Sequence, residues 1–254
     1  MGKVQIEQTF KKLDQENKKA FIAYIVAGDG GLDQLKNQIL TLEKAGVDIV
    51  ELGIPFSDPV ADGPIIQEAG QRAIKDGVSL SAILDELTRI KDDISIPVVF
   101  MSYVNPIFRM GYDTFAQRAA EANLAGVIIP DVPLEEEAPV RQALDPYNIA
   151  IIRLATLTSP DERLDQLLTD AEGFIYAVTI KGITGERTGY DPEVYQNLNR
   201  IKSKSSIPVC AGFGVSSKVL AEELGEHCDG VIVGSKIVSL FHEGKENDIQ
   251  SLIP

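Results

Sequence analysis

Few residues in this sequence could hold a metal, a disulfide or a histidine-centred triad. The 254 residues include two cysteines, Cys210 and Cys228, and two histidines, His227 and His242. The cysteines lack a CxxC spacing and are too few for a disulfide framework, so we expect buried, reduced thiols. The histidines have no metal-ligand spacing with cysteine or carboxylate, which argues against a zinc site and a catalytic triad. We therefore predict no metal.

Long apolar runs are also missing. No run approaches the roughly 20 residues that a membrane-spanning helix needs. Residues 1–16 are charged and amphipathic, without the continuous apolar segment of a signal peptide. We expect a soluble, cytoplasmic protein.

Positive charge is scarce. The chain has 24 lysines and arginines against 38 aspartates and glutamates, and its formal net charge is −14. Nucleic acids and anionic membranes both favour lysine and arginine, so neither is expected as the main partner. The same charge argues against long-range attraction of anionic metabolites, and any anion must therefore be recognised by local groups.

Eight short apolar runs recur along the chain, each followed by a helical pattern. They begin near Phe21, Val47, Pro97, Gly126, Ile149, Gly173, Ile207 and Asp229. Continuous rather than alternating runs are typical of parallel strands that are covered on both faces. Eight strand–helix units in about 250 residues predict an α/β fold, a TIM (β/α)8 barrel forming a single domain over residues 1–254. A doubly wound sheet is the alternative, but no GxGxxG follows the first predicted strand.

Two connections are longer than the others. The extended loop after strand 2 contains residues 55–76, and the one after strand 6 contains KGITGERTGY, residues 181–190. Barrel active sites are built from the loops that follow the strands, so function is expected in these two. The alternative is a pair of insertions without a role.

Two carboxylates lie at the first of these long loops. Glu51 ends the second predicted strand, where a buried strand favours apolar side chains, and Asp62 lies in the proline-stiffened loop that follows. If Glu51 points into the barrel mouth, burial would raise its pKa and favour proton transfer near neutral pH. Two carboxylates in different environments can divide acid and base roles. The alternatives are a surface salt bridge for Glu51 and a turn-forming role for Asp62.

Glycine-bearing loops follow the last three predicted strands. They are GITG at residues 182–185, GFG at residues 212–214, and Gly234-Ser235, which opens a short helix. Glycine lets backbone N–H groups approach an anion, and a helix N-terminus adds its dipole. Barrels often bind phosphate at the loops after strands 7 and 8, so we predict a phosphate site here. Close packing of strands and helices would also explain the glycines.

The stretch ELGIPFSDPVADGPIIQ, residues 51–67, closely resembles the signature of the tryptophan synthase alpha chain family. Similar segments continue along nearly the whole chain: AFIAYIVAGD at the first strand, PDVPLEEE after the fourth, GITG after the sixth, GFGVS after the seventh and VGSKIV after the eighth. The family has a TIM barrel with an extra N-terminal helix. The resemblance implies that helix at Val4 to Gln15, closing the barrel bottom with Val4, Ile6, Phe10 and Leu13.

By the same resemblance, the chain would cleave indole-3-glycerol phosphate to indole and glyceraldehyde 3-phosphate. Glu51 would be the general acid and base, and Asp62 would accept a hydrogen bond from the indole N–H. The implied phosphate-binding residues are Gly185, Gly214, Gly234 and Ser235. The implied substrate pocket is formed by Tyr24, Ile66, Met101, Tyr103, Tyr176 and Thr184. One position departs from the family, because Ile180 stands where well-known members have arginine.

The resemblance also implies a partner. The family works as an alpha2-beta2 heterotetramer in which a beta subunit, carrying pyridoxal phosphate, takes indole through a tunnel and joins it to serine. No cofactor is expected in this chain itself. Residues 57–59 and the 105–108 loop would face the beta subunit.

Two other functions compete with the lyase. A sugar-phosphate isomerase on the same barrel needs one carboxylate base and a phosphate site, whereas the paired carboxylates and the stiff loop favour the lyase. A binding subunit without chemistry is the third possibility, although both carboxylates and the glycine set are intact.

Overall fold

In the computed structural model, which describes residues 2–179, 190–212 and 214–254, nine strands form one curled, entirely parallel sheet. The strands are β1 (Ala20–Val26), β2 (Ile49–Gly53), β3 (Val98–Met101), β4 (Gly126–Ile128), β5 (Ala150–Ile151), β6 (Leu154–Thr156), β7 (Ile175–Val178), β8 (Val209–Gly212) and β9 (Gly230–Val233). Their order across the sheet is β5-β4-β3-β2-β1-β9-β8-β7-β6. All eight predicted strands are present, and the fifth is divided into β5 and β6.

The division of the fifth strand does not open the sheet. The N–H of Ile152 donates to the carbonyl of Val127 at 2.9 Å, and the N–H of Tyr176 donates to the carbonyl of Arg153 at 3.0 Å. The two residues between β5 and β6 therefore continue the ladder on both sides. The parallel strands close into the predicted TIM-barrel architecture.

Eleven α-helices lie in the part of the chain that the structure describes. They are α1 (Lys3–Gln15), α2 (Leu35–Ala45), α3 (Pro64–Lys75), α4 (Leu80–Ile90), α5 (Val104–Met110), α6 (Tyr112–Glu121), α7 (Ala138–Leu144), α8 (Asp161–Leu168), α9 (Pro192–Lys204), α10 (Lys218–Gly225) and α11 (Ser235–His242). Within the same residues, no helix is long and apolar enough to cross a membrane.

Side chains alternate between two cores along each strand. On β1, Ile22 and Tyr24 belong to a cluster inside the barrel, whereas Phe21 and Ile25 pack among the residues of the surrounding helices. A pleated strand directs successive side chains to opposite faces, so a strand covered on both sides must be apolar throughout. This is why the strand sequences are continuous apolar runs.

Helix α1 contributes to the inner core, as the family resemblance implied. Ile6, Phe10 and Leu13 are buried and belong to the cluster inside the barrel. The expectation for Val4 was wrong, because its side chain is 41% exposed. Val4 lies two residues from Ile6, and residues two apart on a helix do not share a face.

Two of the connections after strands contain extra helices. Most of the predicted extended segment after β2 is helix α3, which begins at Pro64 directly after the loop that carries Asp62. The 105–108 segment was expected as a loop but lies within α5. Its Pro106 is compatible with a helix because it stands in the first turn, where an N–H has no intrahelical partner. The long connection of residues 181–189 lies outside the described residues.

We expect Ile6→Ala to lower the free energy of unfolding by about 2–5 kcal/mol, because it removes methylene groups from a fully buried site. Val4→Ala, on the exposed side of the same helix, should change it by less than about 0.5 kcal/mol. Urea unfolding of both variants measures the difference. Equal losses for the two variants would show that α1 does not seal the inner core.

Candidate active site

Glu51 lies inside the barrel. Its neighbour Ile49, two residues earlier on β2, belongs to the inner cluster, while Val50 and Leu52 belong to the outer one. Alternation along the strand therefore directs Glu51 inward, where only 2% of its surface is exposed. Its Oε2 atom is buried and has no hydrogen-bond partner among the described residues. A buried polar atom without a partner costs stability, and such atoms often mark functional sites.

Asp62 lies in the loop between β2 and α3 and is held by several hydrogen bonds. Its N–H donates to the carbonyl of Pro59 at 3.1 Å, and its own carbonyl accepts from Gln67 Nε2 at 2.8 Å. The hydroxyl of Tyr103 donates to Asp62 Oδ2 over a long 3.4 Å, and the Tyr103 hydroxyl oxygen itself accepts the N–H of Ala61 at 2.8 Å. These contacts fix both the backbone and the carboxylate of Asp62.

The two carboxyl groups have different pKa values. Burial, together with the charge of Asp62, raises the pKa of Glu51 from 4.5 to about 8. Burial also raises the pKa of Asp62, but the hydroxyl of Tyr103 opposes this, and the result is about 6. At neutral pH, Glu51 is therefore mainly protonated and Asp62 mainly ionised. The pair combines a proton donor with a neighbouring anion, which is the arrangement that acid–base catalysis needs.

Aromatic rings surround the carboxyl groups. Tyr24 and Tyr176 are buried members of the inner cluster, on β1 and β7. Tyr103, just beyond β3, is also buried and stacks on Phe56 with ring centroids 5.1 Å apart. Met101 at the end of β3 is buried, and Ile66 on α3 is half-buried against the inner cluster. The described part of the predicted pocket is thus a mostly apolar chamber with hydroxyl groups at its wall.

Two of the predicted phosphate-binding glycines, Gly214 and Gly234, lie at the same end of the barrel. Gly214 follows β8 and has a φ of +86°, a left-handed conformation that glycine adopts without strain. Gly234 follows β9, and Ser235 is the first residue of α11. A Cβ atom on Gly234 would lie 3.6 Å from both Ile66 and Tyr24, so this glycine borders the apolar chamber. Gly185, Thr184 and Ile180 lie outside the described residues.

A cavity of about 750 Å³ adjoins this site, and most of the residues in its wall carry no signal in the sequence. It runs from Ala61, next to Asp62, across the carboxyl ends of β4 to β7. Its apolar lining includes Ile129, Pro130, Ile152, Leu154 and Val178. These side chains are ordinary strand and strand-end residues in the sequence, so only barrel closure reveals that they share a space.

Other polar residues serve the fold. Asp131 Oδ1 accepts the N–H of Val104 at 2.9 Å and so caps the start of α5. Arg153, in the interrupted fifth strand, pairs with buried Glu137 at 2.9 Å and donates to the carbonyl of Leu167. Cys210 and Cys228 are buried and unlinked. The described residues contain no cluster suited to a metal ion.

Comparison with known proteins identifies the family. The family model for the tryptophan synthase alpha chain matches residues 10–253. The alpha chains of Oceanobacillus iheyensis and Bacillus cereus are 48% and 45% identical to this chain over 253 residues. The alignments cover 100% of this chain and 97% and 96% of the two relatives.

Similar solved structures belong to the same family as these relatives. Tryptophan synthase subunit alpha from Legionella pneumophila superposes with a TM-score of 0.87 at 34% identity, covering 99% of this chain and 94% of that one. An aminoacrylate-bound tryptophan synthase from M. tuberculosis gives 0.87 at 30% identity, with 98% and 96% covered. The fold and the matches define an α/β-barrel lyase. The chain belongs to the tryptophan synthase alpha chain family.

Membership of this family settles the general role. The chain has tryptophan synthase alpha subunit function and is a lyase of tryptophan biosynthesis. Pyridoxal phosphate belongs to the beta subunit and is not a cofactor of this chain.

The raised pKa of Glu51 predicts a stability cost that grows with pH. A carboxyl group whose pKa is higher in the folded state stabilises that state below its unfolded pKa, and this stability is lost as pH rises toward about 8. Glu51→Gln removes the titration. We therefore compare the free energy of unfolding of Glu51→Gln with that of wild type. The difference in favour of the variant should be larger at about pH 9 than at about pH 5, by on the order of a few kcal/mol.

Urea unfolding at the two pH values measures this gain. Glu136→Gln, which removes an exposed glutamate, is the matched control and should follow wild type. If Glu51→Gln also follows wild type, the Glu51 carboxyl is not held in an unfavourable buried environment.

Proposed function

We propose that this chain cleaves indole-3-glycerol phosphate to indole and glyceraldehyde 3-phosphate, with Glu51 and Asp62 as the catalytic pair. The observation that carries the proposal is the buried carboxyl of Glu51, mainly protonated at neutral pH, whose Oε2 has no hydrogen-bond partner among the described residues. It lies beside the mainly ionised carboxylate of Asp62. A retro-aldol cleavage needs both a proton donor and an anion that stabilises positive charge.

One carboxyl group can carry out both proton transfers of the reaction. Glu51 gives its proton to the indole ring carbon that bears the side chain, and the ring nitrogen becomes cationic. Asp62 accepts a hydrogen bond from that N–H and stabilises the charge as it develops. The Glu51 carboxylate then takes the proton of the adjacent side-chain hydroxyl, and the carbon–carbon bond breaks. The electrons of the broken bond return to the ring. This step releases indole and an aldehyde and leaves Glu51 protonated again.

The glycine loops would hold the phosphate of the substrate. Backbone N–H groups at Gly185, Gly214 and Gly234, with Ser235 at the N-terminus of α11, provide local donors for an anion. The phosphate fixes one end of the substrate, and the apolar chamber of Tyr24, Ile66, Met101, Tyr103 and Tyr176 receives the indole. Thr184 is a further pocket residue that the family resemblance implies. Positioning at both ends lowers the entropic barrier to reaction.

A beta subunit is the proposed partner, in an alpha2-beta2 heterotetramer in the cytoplasm. Exposed apolar side chains support an interface on the carboxyl-end face of the barrel: Val60 is 86% exposed, Phe108 65% and Ile65 41%. Val60 adjoins residues 57–59 and Phe108 lies in residues 105–108, the two segments that the family resemblance implied for this contact. Apolar side chains grouped on one face are typical of a protein interface.

We expect Glu51→Gln to lower indole release from indole-3-glycerol phosphate by several orders of magnitude, roughly 10³-fold or more, because the amide can neither donate nor accept the required proton. Binding of glyceraldehyde 3-phosphate should remain. Asp62→Asn should impair cleavage while the product still binds. Glu68→Gln, an exposed glutamate on α3, is the control and should be fully active. Near-normal turnover by Glu51→Gln would rule out the acid–base role.

Phe108→Ala should weaken assembly with a beta subunit about tenfold, because truncating an anchoring aromatic residue at an interface costs at least about 1 kcal/mol. Val219→Ala, also exposed but located on α10, should have no effect. Titration calorimetry with the purified beta subunit measures both affinities. An unchanged affinity for Phe108→Ala would place the interface elsewhere.

A further inference from the structure

Tyr24 lies between the two halves of the proposed site. Strand β1 stands between β2 and β9 in the sheet. Tyr24 is directly opposite Glu51 in the β1–β2 register, and the neighbouring Ala23 is opposite Val233, which immediately precedes Gly234. A ligand that reaches from Glu51 to Gly234 must therefore pass over β1, at the position of Tyr24.

The Tyr24 hydroxyl points toward β2. A Cβ atom on Gly53 would lie only 2.1 Å from the hydroxyl oxygen, so this oxygen occupies the space that a side chain at position 53 would need. Gly53 is two residues beyond Glu51 on the same inner face, nearer the barrel mouth. The other side of Tyr24 borders Gly234, whose Cβ would lie 3.6 Å from the tyrosine Cβ. The side chain thus spans the distance between the carboxyl pair and the proposed phosphate loop.

This hydroxyl has no hydrogen-bond partner among the described residues, although Tyr24 is only 6% exposed. Buried tyrosine hydroxyls usually find a partner. Tyr103 is an example, since its oxygen accepts one hydrogen bond and donates another. Burial and the charges of Asp62 and Glu51 raise the pKa of Tyr24 well above its ordinary value, so the hydroxyl keeps its proton. A protonated hydroxyl with no partner among the described residues can donate a hydrogen bond to a polar group of a ligand at this point.

The proposed substrate carries a hydroxyl between its phosphate and its reacting carbon. Its phosphate lies at one end of a three-carbon chain, and the carbon that undergoes cleavage lies at the other. The hydroxyl on the reacting carbon gives its proton to Glu51. We propose that the Tyr24 hydroxyl hydrogen-bonds the second hydroxyl, on the middle carbon of the chain, and so selects for a substrate that carries it. This inference rests on the proposed function and deepens it, because it assigns a polar role to a residue of the apolar chamber.

Two ligands that differ only at the middle carbon test the assignment. Glycerol 3-phosphate has the hydroxyl, and 3-hydroxypropyl phosphate lacks it. Tyr24→Phe removes one oxygen atom and keeps the ring. We expect this variant to bind glycerol 3-phosphate roughly 3- to 10-fold more weakly than wild type and to bind 3-hydroxypropyl phosphate equally well. Calorimetry measures both affinities, and kcat/KM for indole-3-glycerol phosphate should fall by a similar factor.

The outcomes separate this inference from the proposed function. If Tyr24→Phe weakens binding of both ligands equally, the substitution disturbs the pocket generally. If it weakens binding of neither, the hydroxyl makes no contact with the ligand. Either result overturns the role of Tyr24 and leaves the proposed phosphate binding intact. If wild type binds neither ligand, the proposed phosphate site itself fails and the inference falls with it. Tyr147→Phe, at an exposed position, is the matched control, and an unchanged urea midpoint shows that Tyr24→Phe is folded.

Discussion

Closure of the barrel at the interrupted fifth strand is the constraint on which the inner face depends. The ladder passes through Ile152 and Arg153 without a regular strand between β5 and β6. Arg153 is buried there, paired with Glu137 and hydrogen-bonded to the carbonyls of Leu167 and Thr169. Removing either member of a buried ion pair leaves the other charge uncompensated. The same closure creates an interior in which every second strand residue is shielded from water.

The closed interior raises the pKa of Glu51, and the burial of this carboxyl group also lowers the stability of the fold. A carboxyl group inside an apolar barrel has a raised pKa because water no longer stabilises its charge. The fold tolerates this because its two cores bury many apolar side chains, among them Phe21, Phe100 and Phe174. Asp62 differs because it comes from a loop rather than a strand, is only partly buried and meets the Tyr103 hydroxyl. A strand and a loop thus provide two different environments for two identical functional groups.

The proposed phosphate recognition does not depend on the overall charge of the molecule. The net charge of −14 argues against nucleic acid, but it does not forbid a phosphorylated substrate. In the proposed site, the donors are backbone N–H groups and the N-terminus of α11, which would act over short distances and carry no net charge. The net charge therefore disfavours only the long-range attraction of an anion.

The sequence alone predicts the strand positions and the parallel α/β barrel, because strands covered on both faces must be apolar throughout. It also drew attention to Glu51 and Asp62, since a carboxylate at the end of such a strand and another in a proline-stiffened loop break the local pattern. It did not reveal that α5 is a helix or that Val4 is exposed, because proline and local periodicity are ambiguous over a few residues. Which groups come into contact is visible only in the folded chain. Tyr103 reaches Asp62 from 41 residues away, and the Tyr24 hydroxyl fills the space above Gly53. These contacts depend on strand register and barrel closure, which join residues that no local sequence pattern connects.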